Sequence, residues 1–412
     1  MMNHTKTLRQ MARLAVVAAL LAGRMANADA VTDWNVEAGE IVVAAKLGTP
    51  PANRVLAIVQ TAVYDATNAI TRRYPASGTS FEALPGASVE AAIAAANRVT
   101  LAKLVPSQQA AIDAAYQDAL AIVTDGPAKS AGIAAGDKAA LAVLALRAED
   151  GFAAVETYRP HTIPGVYVPT VIPVFSQWPQ RKTWLMTSPA QFRPDPPPAL
   201  SSAVWARDYS EVKEIGGERS VRRTAGQTEI ASFWESTMPT IYHGLVRSVA
   251  AVPGRDVTQN ARLFAAVTQA IDDAVIAIFD AKYHYNFWRP ITAIRNGDID
   301  ANDATERDPG WTPFIATPMH PEYPCAHCIV ASTVGTVLQA EIGTGPMPTL
   351  TTTSDTAKGA ARSWTNIDDF VHEVADARVF DGVHYRTSTE VGIAMGKKIG
   401  AMAVTTYLRP PK

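Results

Sequence analysis

Between residues 36 and 149 the chain places apolar residues at spacings of three and four, in Ala-rich runs at 36–70, 87–104, 107–123 and 128–149. One apolar stripe per run is what a packed α-helix needs, and a strand, with its period of two, has no use for it. The same spacing predicts helices at about 205–217, 224–236, 257–289, 327–343, 355–377 and 387–407, while alternating β-branched runs are nearly absent. The fold class that follows is all-α, as two packed helical bundles. Between them, 159–200 holds ten of the 28 prolines. Proline removes backbone donors and disfavours helix in the residue before it, so this stretch reads as an irregular, semi-rigid connection. The expected organisation is an N-terminal helical layer over 31–158, the connection over 159–200, and a helical domain over 201–412 that carries the active site.

The first 30 residues read differently. Lys6, Arg9 and Arg13 precede the apolar run LAVVAALLAG, which leads to Ala28-Asp29-Ala30. A basic head, a short apolar stretch and a small-x-small end describe a secretory leader cleaved after about Ala30. The chain is therefore expected to be exported, periplasmic or extracellular, with no membrane span once the leader is gone. The most apolar later segment, TQNARLFAAVTQAIDDAVIAIF, carries Asp272 and Asp273 at its centre. A composition 48% hydrophobic and 18% charged, with a formal net charge of −2, offers no nucleic-acid surface.

Chemistry concentrates in three segments of the C-terminal half. In KYHYNFWRP, Lys282 and Arg289 are seven apart, two turns on nearly one face of the helix expected to run through 289. In PCAHCIVASTVGTVL a helix is expected to start near Pro324, leaving the amides of Cys325 and Ala326 outward at the positive end of the helix dipole. His327 lies in that turn, positioned to move a proton. In ARVFDGVHYRTSTE, Arg378 precedes the Asp381-Gly382 break and His384 follows it. Alone, each histidine reads as an ordinary core or surface residue. Together, three cations, a helix N-terminus and two histidines make a site for a tetrahedral oxyanion, a trianion such as phosphate or vanadate. Glu235, Asp273 and Asp381 are candidate partners for the arginines.

These segments resemble the signature of the vanadium haloperoxidase and type-2 phosphatidic-acid phosphatase superfamily, K-x6-R-P, then P-S-G-H, then S-R-x5-H-x3-D. Here they stand as Lys282 to Pro290, as Pro324-Cys325-Ala326-His327, and as Ala377-Arg378, five residues, His384, three residues, Ser388. The stretch 211–234 resembles the segment that precedes these motifs in the soluble haloperoxidase branch. The resemblance implies that Lys282, Arg289, Arg378 and the Ala326 amide bind the oxyanion and that His327 is the general acid–base. His384 would be the axial ligand to vanadate in a peroxidase, or the phosphoryl-accepting nucleophile in a phosphatase, which needs no cofactor. Its small-molecule substrates would be peroxide and a halide, or a phosphate ester. His320, seven residues before His327, is similar to the algal bromoperoxidases, which implies bromide before chloride and a place at the halide site.

Three positions depart from the pattern. Ser388 stands where an aspartate is expected to orient the axial histidine, so another group must do so. Ala377 replaces a serine. Cys325 replaces the serine that offers a hydroxyl to the oxyanion. Cys325 and Cys328 are the only cysteines, and residues three apart in a helix lie about 5 Å apart at Cα, inside the disulfide range. A disulfide and two buried thiols are both open. A CxxC oxidoreductase is a remote alternative, because that chemistry sits on βαβ scaffolds and leaves the cations unexplained. A zinc site of His320, Cys325, Cys328 and His327 or His384 is weaker still, since neighbours 327 and 328 project differently from a helix.

Overall fold

The structure, a computed structural model, describes residues 29–75 and 81–407. The basic head and apolar run of the expected leader lie outside the described residues. Among the described residues no helix is long and apolar enough to cross a membrane.

The N-terminal layer is α1 (Ala30–Ala44), α2 (Thr49–Thr71), α3 (Val89–Leu104), α4 (Gln109–Ala121) and α5 (Pro127–Leu146). The single helix expected over 36–70 is therefore two. Gly48 caps a new helix with proline in its first turn, the one place where a missing N–H costs nothing. The connection is irregular from Arg147 to Ser202 except for a 3-10 turn at Trp178–Gln180.

The C-terminal part is α6 (Ala203–Ile215), α7 (Ala225–Phe233), α8 (Thr240–Ala250), α9 (Val257–Tyr285), α10 (Pro290–Arg295), α11 (Ala326–Ile342), a hairpin of β1 (Leu350–Ser354) and β2 (Ala360–Trp364), α12 (Ile367–Phe380) and α13 (Arg386–Tyr407). The helix expected at 355–377 is thus half hairpin. LTTTS alternates inward and outward, with Leu350 opposite Trp364, and buried Thr352 and Ser354 donate to the carbonyls of Ile241 and Phe233. Helix α8 was not expected at all.

One apolar core runs through both parts, from Val31 to Ala403, with α2 packed along α9. Helix α9 is buried along most of its length, as its largely apolar sequence demands. Its interrupting acids receive the connection. Asp272 takes a two-pronged ion pair from buried Arg181, and Asp273 accepts the backbone amides of Trp184, Leu185 and Met186. Asp273 is therefore no partner for the site arginines, and Glu235 is exposed. On α13, a Cβ at Gly396 would sit 2.2 Å from the Ile329 carbonyl, so glycine there lets α13 lie against α11.

Candidate active site

The expected face on α9 does not exist as drawn. The helix stops at Tyr285, where Asn286 turns left-handed (φ 49°) and returns its N–H to the Lys282 carbonyl. Arg289 is instead the extended residue before α10, as a pre-proline position must be. The turn nonetheless carries it back beside Lys282. Both side chains reach the same loop. Lys282 Nζ donates to the carbonyls of Pro321 (3.1 Å) and Glu322 (2.6 Å), and Arg289 donates to those of His320 (2.9 Å) and Val383 (2.9 Å).

Arg378, in the last turn of α12, donates to the Trp234 carbonyl (2.8 Å) and pairs with Asp381 at 2.9 Å. Its Nε is buried with no partner among the described residues. Lys282, Arg289 and Arg378 are all buried to within 1%. Burial, then Arg289, push Lys282 down to about 7; burial pushes Arg289 down to about 10. Two acids answer them. Burial lifts Glu322 to about 7 against the pull of Lys282 and Arg289, and lifts Asp381 to about 7 against Arg378.

Glu322 is the residue that sequence reasoning missed. His384 places Nδ1 2.6 Å from Glu322 Oε1 and Nε2 3.4 Å from the Arg289 guanidinium. Arginine only donates, so Nε2 holds the lone pair and Nδ1 carries the proton toward the carboxylate. Glu322 also accepts the Tyr385 amide. It thus does the orienting work expected of an aspartate at 388. A glutamate between Pro321 and Tyr323, in a stretch too apolar for a surface acid, was the available signal. Glu322→Ala should weaken binding of an oxyanion, with vanadate as the titrated probe, about 10–100-fold. Glu322→Gln, which keeps an acceptor for Nδ1, should lose less; equal affinity of the alanine variant and the wild type would show that the carboxylate does not orient the ring.

Helix α11 begins at Ala326, two residues past Pro324, with Cys325 as its N-cap. The Cys325 amide is not free for an anion, because it donates to the Ser388 carbonyl of α13 (3.2 Å). The open amides of the turn belong to Ala326 and His327. The Cys325 and Cys328 sulfurs lie 2.6 Å apart, both fully buried against Ala375, and no disulfide joins them in the structure. Among the described residues no three histidine, cysteine or acidic side chains are arranged to hold a metal ion.

His327 Nε2 meets the Ser236 carbonyl at 3.2 Å; a carbonyl only accepts, so Nε2 carries the proton and Nδ1 is the basic nitrogen. His320 Nδ1 accepts from Arg289 (3.0 Å) and its ring stands edge-on to Phe279. All three imidazoles are held well below the ordinary value, first by burial, then by Arg378 for His327 and Arg289 for the other two. They are neutral at pH 7.

His320, Ala326, His327, Arg378 and His384 line one cavity of about 300 Å³. Lys282 and Arg289 stand behind it and Cys325 beneath the helix turn. The arrangement fits a multiply charged oxyanion. Three cations face two acids held near neutrality, Arg378 Nε and two main-chain amides are open donors, and the His384 lone pair sits beside Arg289.

The family model for the VCPO second helical-bundle domain matches residues 262–410. The vanadium chloroperoxidase of Curvularia inaequalis is 27% identical over 181 residues, 36% of this chain and 29% of that protein. The aligned stretch thus spans less than a third of the relative's length. Among solved structures, the first bacterial vanadium-dependent iodoperoxidase superposes with a TM-score of 0.76 at 25% identity, over 92% of this chain and 95% of that one. A holo-type bacterial vanadium-dependent chloroperoxidase gives 0.70 at 17% identity, over 88% and 93%.

Proposed function

The chain belongs to the vanadium haloperoxidase superfamily, and on that premise we propose that it is a peroxidase using vanadate to oxidise halide, bromide before chloride, with hydrogen peroxide. The observation that carries the reading is the His384 tautomer: Glu322 holds the Nδ1 proton at 2.6 Å and leaves Nε2 a lone pair beside Arg289. Lys282, Arg289, Arg378 and the Ala326 amide would hold the vanadate oxygens, and His384 Nε2 would bind the metal. Bound there, vanadate would supply Lewis-acid activation of peroxide for oxidation of the halide by two electrons.

The chain's residues do the rest. With a trianion bound among the three cations, Lys282, which burial otherwise brings to about 7, would keep its proton. Part of the pull of Arg378 on His327 would be offset as well, and Nδ1 is the nitrogen that would take a proton from peroxide. His320, fixed on Arg289, would set which halide is accepted.

The test is two assays on one preparation: bromide oxidation with vanadate and peroxide, read with a brominatable dye, and p-nitrophenyl phosphate hydrolysis without vanadate. Dye bromination that needs vanadate is expected. Activity confined to the phosphate ester would make His384 a phosphoryl-accepting nucleophile and the chain a phosphatase.

The reading includes export, on the leader-like first 30 residues, and oxidation of Cys325 and Cys328 to a disulfide. Two thiols and one hydrogen peroxide give one disulfide and two waters, and the proposed substrate is the oxidant. Thiol counting under denaturing, non-reducing conditions should find none free in freshly isolated exported protein; two free thiols would refute the pairing.

A further inference from the structure

Two small-x-small frames overlap at Ala28 in the stretch MANADAV: Ala26-Asn27-Ala28 and Ala28-Asp29-Ala30. Cleavage after the first leaves Asp29 on the chain, and cleavage after the second removes it. What Asp29 and Val31 do in the fold separates the two.

Asp29 is the N-cap of α1, with extended backbone at φ −108° and ψ 171°. Its Oδ1 accepts the amides of Val31 (3.1 Å) and Thr32 (2.9 Å), and the Thr32 hydroxyl oxygen accepts the Asp29 amide (2.9 Å), a closed capping box. The second carboxylate oxygen accepts from the Asn260 side chain in the first turn of α9, at 2.8 Å. Asn260 itself donates to the Ala250 carbonyl at the end of α8 (3.1 Å). One carboxylate therefore starts α1 and clasps it to the C-terminal part.

Val31 is 1% exposed. A chain cut after Ala30 would begin with an ammonium on that buried residue, at the positive end of the α1 dipole and with the Asp29 carboxylate gone. Burial of an unpaired charge and the like-signed dipole both oppose that arrangement. A chain cut after Ala28 would carry its ammonium on partly buried Asp29, beside that residue's own carboxylate. The ammonium still donates to Thr32, so every bond of the cap survives.

We infer that the leader is removed between Ala28 and Asp29, by a signal peptidase reading Ala26 and Ala28, and that Asp29 opens the mature chain as the clasp between its two helical parts. Cleavage here rests on the export reading and not on the peroxidase one. The step is a hydrolysis: one water adds across the Ala28–Asp29 peptide bond, leaving a carboxylate on Ala28 and an ammonium on Asp29.

The full chain, expressed with its own leader and recovered from the exported fraction, is sequenced from its N-terminus. It should read Asp-Ala-Val-Thr. A start at Val31, or at any other residue, overturns the site and leaves export standing. Protein confined to the cytoplasm with its first 28 residues attached overturns the export reading and the site together. The clasp is tested in the exported protein by thermal melts. Asp29→Ala should lower Tm by about 2–4 °C, and Asp29→Asn, which still caps a helix, should lose less. The shifts of Asp29→Ala and Asn260→Ala should sum to more than the shift of the double variant, because the two side chains share one bond. An unchanged Tm for Asp29→Ala, or strictly additive shifts, overturns the clasp.

Discussion

His384→Ala should leave no measurable turnover in either assay, bromide oxidation or phosphate-ester hydrolysis. The ring sits between Glu322 at 2.6 Å and Arg289 at 3.4 Å, and alanine has no nitrogen to put between them. Vanadate affinity should fall as well, because the three cations that remain would supply attraction but no nitrogen to bind the metal. The variant should still fold. Its exposed liability is a buried Glu322 without its imidazole, and a carboxyl already lifted to about 7 escapes that cost by taking up a proton. The sign matters for the measurement. The variant is most stable below about pH 4.5, the ordinary carboxyl value; stability falls as pH rises from there to about 7 and levels off above it, where the carboxylate is charged in both states. Thermal melts followed by circular dichroism at pH 4.5 and pH 8 check this. Full turnover in a folded variant would remove His384 from the chemistry.

His327→Ala should lower kcat about 10²–10⁴-fold, the usual range for losing a general acid–base, with vanadate affinity changed only a few-fold. His327 hangs from the Ser236 carbonyl and contributes no charge at pH 7, so its removal takes nothing from the cationic cradle. Steady-state kinetics with a parallel vanadate titration separates the two histidines. If both variants lost oxyanion affinity equally, the assignment of one as ligand and the other as proton carrier would be wrong.

The fold class was readable because packed helices leave a period that survives in the sequence, as α3, α5 and α9 do. Boundaries were less readable. The helix over 36–70 broke at Gly48, where prolines restart a helix as easily as they end one. Helix α8 was missed although its eleven residues, TIYHGLVRSVA, place Ile241, Tyr242, Leu245, Val246 and Val249 at helical spacing. The hairpin of β1 and β2 escaped because its threonines look polar until their side chains find carbonyls.

At the site, the charged anchors were readable from spacing, although the reasoning about one helix face was wrong for Arg289. The structure brings His327, Arg378 and His384 to one cavity, while Lys282 and Arg289 hold the carbonyls of the 320–322 loop outside its lining. What sequence could not give was the pairing across distance. Nothing local says that Ser388 offers its carbonyl to Cys325, or that Glu322, 62 residues upstream, faces the His384 ring. Such contacts are properties of the packed loops and not of any motif.

The entrance of α2 into the cavity divides labour along the chain. Everything proposed to touch the oxyanion lies after residue 281, whereas Gly48, Thr49, Pro50 and Asn53 add lining to the same cavity. Substitutions early in the chain are therefore free to reshape that lining without disturbing the reactive end. Paralogues sharing one reaction centre would then diverge in their first hundred residues, the region that a search keyed to the signature never inspects.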